Sequence, residues 1–280
     1  MRWEGRRQSE NIEDRRGMRV SRGGLVGGGI GTLAIALLVY FLGGDPTAVL
    51  QQAPVETTNE PYEESPNEAE WRQFTAVALA DTEDVWNALF KEMGGEYREP
   101  TLVLFNGAVD SGCGFAEAAM GPFYCPQDEK LYIDLAFFDQ LQEQLNASGD
   151  FPRAYVVAHE VGHHVQNLLG IANQVSGLQQ RDPDAANQLS VRLELQADCF
   201  AGIYANRVGK YGDVLQAGDA QEAIDAAAAI GDDTLQRSQG RAVVPDSFTH
   251  GSSEQRMRWF SAGFKRGSVD DCDTFKAADL

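Results

Sequence analysis

The chain has 280 residues and a formal net charge of -19. That length holds one large domain or two small ones around a real core, and the acidity argues against general nucleic-acid binding. The charge is uneven: residues 1–24 carry seven Arg against four acids, net +3, and the remainder carries 16 basic against 38 acidic residues, net -22. That asymmetry suggests two sides of a membrane.

In chain order, residues 1–22 are polar and basic without a helical stripe, and read as a disordered cytoplasmic tail. Residues 23–44, GGLVGGGIGTLAIALLVYFLGG, hold no charge. Twenty-two helical residues reach about 33 Å, enough for a hydrocarbon core of roughly 30 Å. Arg precedes this run and Asp45 follows it, so the positive-inside rule puts the N-terminus in the cytoplasm. A cleaved signal peptide is the competing reading; the long basic start and the lack of a small-x-small site disfavour it. Residues 45–69, rich in Pro, Glu, Thr, Asn and Gln, read as a flexible acidic linker. The folded ectodomain is expected over 70–280.

Within it, residues 70–93 predict an amphipathic helix broken near Asp81 and ended by Gly94 and Gly95. Residues 101–105 (TLVLF) and 131–135 (LYIDL) read as strands, the first closed by Asn106 and Gly107. The second is either an edge strand for substrate or an ordinary core strand. Between them lies a Gly-rich stretch with Cys113 and Cys125. A helix is expected over 137–145, then one over 151–170, then a polar connector over 171–186. Residues 187–208 predict a helix with Leu189, Leu193, Ala197, Phe200 and Tyr204 as its apolar stripe. Residues 213–239 are Ala-rich and helical with breaks at Gly218 and Gly231. A loop with His250 follows, and Ser252 with Gln255 forms a capping box for a last helix to Phe264. Together these elements predict an α+β chain, predominantly helical, with a small sheet.

The stretch FPRAYVVAHEVGHHVQNLLG (151–170) carries the chemistry. Pro152 suits its first turn and Gly170 its stop. His159 and His163 lie one turn apart on one face, so two neutral imidazoles can share a metal. Glu160 sits about 100° round the helix, where it reaches a metal-activated water rather than the metal. His164 points elsewhere and suits packing or support of a ligand. The bland alternative is a helix with surface histidines, but three of the four histidines fall in this turn and a half.

A catalytic zinc needs a third protein ligand and leaves a fourth position open. Only His164 and His250 remain as histidines, so a carboxylate on another helix is the natural donor. Glu194 and Asp198 lie on one face of the 187–208 helix, with Ala197 and Ala201 leaving room for close packing. Glu194 is assigned to the metal. Asp198 is assigned to the free N–H of a ligand histidine. His250, on its loop, is either a donor to an oxyanion or a structural cap. Arg192 and Tyr204 are weaker candidates for the oxyanion role.

HEVGHH (159–164) followed by ELQADCFAG (194–202) resembles the gluzincin zinc peptidases, in which the helix after HExxH supplies a Glu ligand and an Asp four residues on supports a histidine. More narrowly, the chain resembles the bacterial putative neutral zinc metallopeptidase family. The shared segments are RWEGRRQSENIEDRRG at the start, KLYIDLAFF (130–138), AHEVGHHVQN (158–167), LELQADCFAG (193–202) and THGSSEQRMRWF (249–260). The resemblance implies a zincin-like core, ligand roles for His159, His163 and Glu194, a base role for Glu160, and Zn2+ as cofactor. It also favours a functional His250.

Four cysteines outside the cytoplasm suggest oxidation, with three pairings possible. Cys113–Cys125 would close the Gly-rich loop, and Cys199–Cys272 would pin the tail to the second metal helix. A zinc–thiolate site lacks the necessary CxxC spacing. The expected function is zinc-dependent hydrolysis of a peptide or protein substrate by a periplasmic domain anchored in a bacterial inner membrane. A non-catalytic zinc adaptor of an envelope complex and a zinc amidase on cell-wall peptides are the alternatives. Oligomeric state is not readable.

Overall fold

A computed structural model describes residues 1–22, 55–59, 62–143, 149–211 and 214–280. The proposed membrane span 23–44 lies outside the described residues, as do residues 45–54, 60 and 61 of the expected linker and the end of the expected 137–145 helix. Among the described residues no helix is long and apolar enough to cross a membrane.

The fold is α+β and mostly helical. The strands are β1 (Ile12–Asp14), β2 (Met18–Arg22), β3 (Val55–Asn59), β4 (Thr101–Phe105), β5 (Ala108–Ser111), β6 (Gly114–Glu117), β7 (Phe123–Cys125) and β8 (Lys130–Asp134). The helices are α1 (Pro66–Glu92), α2 (Ala136–Glu143), α3 (Phe151–Leu168), α4 (Ile171–Arg181), α5 (Ala186–Val208), α6 (Asp219–Ala229), α7 (Asp232–Ser238) and α8 (Ser253–Arg266). The main sheet runs β1–β4–β8–β7. β1, β4 and β8 are parallel, and β7 closes the sheet antiparallel to β8. The 131–135 run is therefore an interior strand, and the edge strand beside it is β7. Two hairpins, β2–β3 and β5–β6, stand apart from this sheet.

Residues 1–22 are not a disordered tail. β1 pairs with β4 in register, Ile12 opposite Leu102 and Asp14 opposite Leu104. The Ser9 amide donates to the Ala76 carbonyl at 2.9 Å, and the Trp3 ring meets Phe74 edge-on at 5.6 Å. The arginines find this chain's own acids. Arg6 Nη1 lies 2.5 Å from Asp81, and Arg7 Nη1 lies 2.8 Å from Glu83 and Nη2 2.8 Å from Asp84. Ser9 also donates to Glu83. These contacts explain a second departure from expectation: α1 runs unbroken through Asp81. Two buried acids in mid-helix would be costly alone, but here the N-terminal arm supplies their cations and hydroxyl. α1 also begins earlier than expected, at Pro66, where the N-cap Ser65 and Glu68 in the first turn form a capping box.

The core lies among α1, α3, α5 and α8, with Trp86 set edge-on to Phe200 at 5.4 Å. α5 and α8 cross backbone to backbone. Gly202 faces the Phe260 carbonyl and Gly263 the Cys199 carbonyl so closely that a Cβ at either position would collide with backbone. The polar 171–186 segment is mainly helix α4, which buries only Val175 and so shows no apolar stripe. Both suggested disulfides are present, Cys113–Cys125 and Cys199–Cys272.

Candidate metal centre

α3 and α5 lie against each other where Gly162 meets Ala197. A Cβ on Gly162 would stand 3.1 Å from the Ala197 Cα. That absence of a side chain brings the two helices close enough for Glu194 to reach both histidines. His159 Nε2 lies 3.2 Å from one Glu194 oxygen and His163 Nε2 3.5 Å from the other. One donor atom from each of the three falls within 4.8 Å of the others. A tetrahedral ion with bonds of about 2.0–2.1 Å to nitrogen and oxygen needs donors roughly 3.4 Å apart. The two histidine–glutamate separations, 3.2 and 3.5 Å, lie close to that spacing.

The outer nitrogens are fixed. Asp198 Oδ1 accepts from His159 Nδ1 at 2.9 Å, which turns Nε2 toward Glu194. Gln166 Oε1 accepts from His163 Nδ1 at 2.9 Å, while the Gln166 amide donates to the Leu193 carbonyl at 2.6 Å. Gln166 thus fixes the His163 ring and ties α3 to α5. The sequence reading missed it, although its place three residues after His163 on the same helix was a usable signal.

Asp198 is fully buried and receives more than one donor. Arg256 Nε lies 2.8 Å from Oδ2 and its Nη2 3.0 Å from Oδ1, a two-point pair. The Tyr155 hydroxyl donates to Oδ1 at 2.5 Å and accepts from Arg256 Nη2 at 3.1 Å. Burial raises the Asp198 pKa, but Arg256 and His159 outweigh it and hold the carboxyl at about 2. Burial likewise lowers His159, and Asp198 and Glu194 more than offset this, raising it to about 10. Glu194 stays well below the carboxylate range because the two histidines outweigh its burial. Among themselves the three groups thus favour protons on nitrogen and a charge on Glu194. An incoming dication would displace those protons.

Glu160 is buried, 7% exposed, on the wall of a cavity of about 530 Å³ that also takes in His159, His163, Glu194, His250 and Arg256. Burial raises its pKa. β7 supplies Phe123 and Tyr124 to the same wall, and Ile230 and Leu235 line it elsewhere. His250 shares this cavity but belongs to an exposed loop. Asp232, the first residue of α7, organises that loop. Its Oδ2 accepts the amides of Thr249, His250 and Gly251 at 2.8, 2.7 and 3.1 Å. Its Oδ1 lies 3.4 Å from His250 Nδ1. That hydrogen bond is the main reason the His250 pKa is raised.

The remaining candidates fall elsewhere. His164 is buried. Its Nε2–H donates to the Arg98 carbonyl at 2.6 Å, and its Nδ1 accepts from the Tyr124 hydroxyl at 3.1 Å. It braces the edge strand and does not face the triad. Arg192 binds the Thr274 and Ala277 carbonyls and anchors the C-terminal tail. Tyr204 is core, its ring stacked on Phe151 at 6.4 Å. Neither lines the cavity.

The chain is 49% identical over 288 residues to Uncharacterized protein YpfJ of Escherichia coli K12, covering 98% of this chain and 99% of that one. It is 40% identical over 255 residues to Uncharacterized protein Mb2605 of Mycobacterium bovis and to Rv2575 of Mycobacterium tuberculosis H37Rv, at 86% of both chains. No solved structure matches. Residues 1–275, arm and metal helices together, match the family described as Putative neutral zinc metallopeptidase. The chain belongs to that family, which makes Zn2+ its cofactor and hydrolysis its general chemistry.

Proposed function

We propose that this protein hydrolyses peptide bonds, with His159, His163 and Glu194 holding zinc and Glu160 acting as general base and acid. One observation carries the proposal: a buried carboxylate, Glu160, borders the same cavity as a convergent His–His–Glu triad whose outer nitrogens are already fixed. Zinc, when bound, acidifies a water to a pKa of about 7 and polarises a carbonyl oxygen. The chain's own groups do the rest. Glu160 takes a proton from the attacking water and returns it to the departing amine. His250, oriented by Asp232, donates to the oxygen that becomes negative in the tetrahedral intermediate. A peptide laid beside β7 would extend the sheet at its free edge, with Phe123 and Tyr124 along the cavity. The two disulfides support an oxidising compartment outside the bacterial cytoplasm, and the apolar run 23–44 supports attachment to the inner membrane.

The purified full chain should cleave a mixed quenched-peptide library. A chelator should stop cleavage and zinc should restore it. No cleavage by folded, zinc-loaded protein would count against a broad peptidase and toward an adaptor or a cell-wall amidase.

The role of His250 predicts a pH dependence. Asp232 raises the His250 pKa above 6.5, so the imidazolium persists below that raised value and is lost as pH rises through it. The stability from the pair follows the same direction: full below pH 6.5 and fading above. Asp232→Asn should move the alkaline limb of kcat to lower pH, read from a pH–rate profile. An unmoved limb would remove His250 from the mechanism.

A further inference from the structure

The apolar run 23–44 was expected to cross a membrane once, with residues 1–22 on one side and the domain on the other. The described residues on its two flanks do not separate. Before the run, β1 is built into the main sheet, and Arg6 and Arg7 are paired with buried acids of α1. After the run, β3 pairs antiparallel with β2, Arg22 opposite Val55. The 32 residues between them therefore begin and end at neighbouring positions in one hairpin.

Chain length then decides the topology. If residues 23–44 crossed the hydrocarbon as helix, about 33 Å would be used in one direction. Only residues 45–54, DPTAVLQQAP, would remain for the return. Ten residues fully extended span about 33–36 Å, so they would have to recross as bare extended chain. That would place Asp45, Gln51, Gln52 and unpaired backbone amides in lipid, which hydrocarbon does not tolerate. The charge argument for crossing also weakens. Of the seven arginines before the run, Arg6, Arg7, Arg15 and Arg16 form ion pairs with Asp81, Glu83, Glu13 and Asp14 of this chain. Their sequence bias is accounted for by folding and need not report the cytoplasm.

We infer that residues 1–22 and the metal-site domain lie on the same face of the membrane. This rests on the fold and not on the proposed peptidase activity. Full-length chains carrying Gln8→Cys or Ala278→Cys, both exposed sites, would be expressed in bacterial cells and treated with a membrane-impermeant maleimide before and after permeabilisation. Peptide mass spectrometry would locate the label. Both reporters should react before permeabilisation, or both only after it. The first outcome puts the domain outside the cytoplasm and the second inside; each keeps the two on one face. Opposite reactivity would overturn the inference. Flotation with phosphatidylethanolamine–phosphatidylglycerol vesicles supplies the membrane control. The full chain should float, and a chain with 23–44 replaced by Gly/Ser of equal length should not. A full chain that stays in the soluble fraction would also overturn it.

Discussion

Glu160→Gln should keep its zinc and lose its turnover. The replacement has nearly the same size, and Glu160 is not among the three converging donors, so metal content measured by mass spectrometry should match the parent. Gln cannot accept the proton that the buried carboxylate is placed to take. Loss of a positioned acid–base group typically costs 10²–10⁴-fold, so kcat should fall on the order of 10³-fold. A variant retaining more than about a tenth of parental kcat would refute the assignment.

The second large effect concerns stability. Arg256→Met should unfold far more easily than the parent, because Asp198 would keep its charge at zero exposure with its strongest partner gone. Breaking a buried pair from one side costs about 3–5 kcal/mol. Asp198→Asn leaves Arg256 stranded in the same way. The double variant Asp198→Asn, Arg256→Met has no stranded charge and should recover much of the loss, read as a coupling of at least about 1 kcal/mol in denaturant unfolding. Additive losses would show that the pair does not act as a unit. Zinc affinity gives an independent readout. Asp198→Asn disturbs the partner of His159 Nδ1 and should weaken binding about 10–100-fold.

The ease with which these groups were found differs for physical reasons. His159, Glu160 and His163 are legible because one helical turn fixes their geometry. Glu194 and Asp198 are legible because four residues is again one turn, and Ala197 between them implies a close neighbour. Arg256 was not legible. It sits in SEQRMRWF, a segment that reads as a solvated helix face, and its partner is 58 residues away. β1 was missed because IED has no apolar alternation; its parallel pairing with β4 arises from a distant strand. α4 hid because a helix that buries one residue leaves no stripe. Asp81 looked like a helix breaker because its cation lies in the N-terminal arm.

The C-terminal tail gives the metal site a place in time. Cys272 is bonded to α5, and its carbonyl accepts from the Gln196 amide. Gln196 in turn accepts from Gln166, which holds His163. Thr274 and Arg192 exchange two further hydrogen bonds. Arg256, which steadies Asp198, also comes from the final thirty residues. A polypeptide still emerging from the ribosome therefore carries the HExxH helix for some time before the groups that orient its ligands exist. The groups that brace Asp198, Gln196 and Cys199 are therefore among the last parts of the described chain to be made.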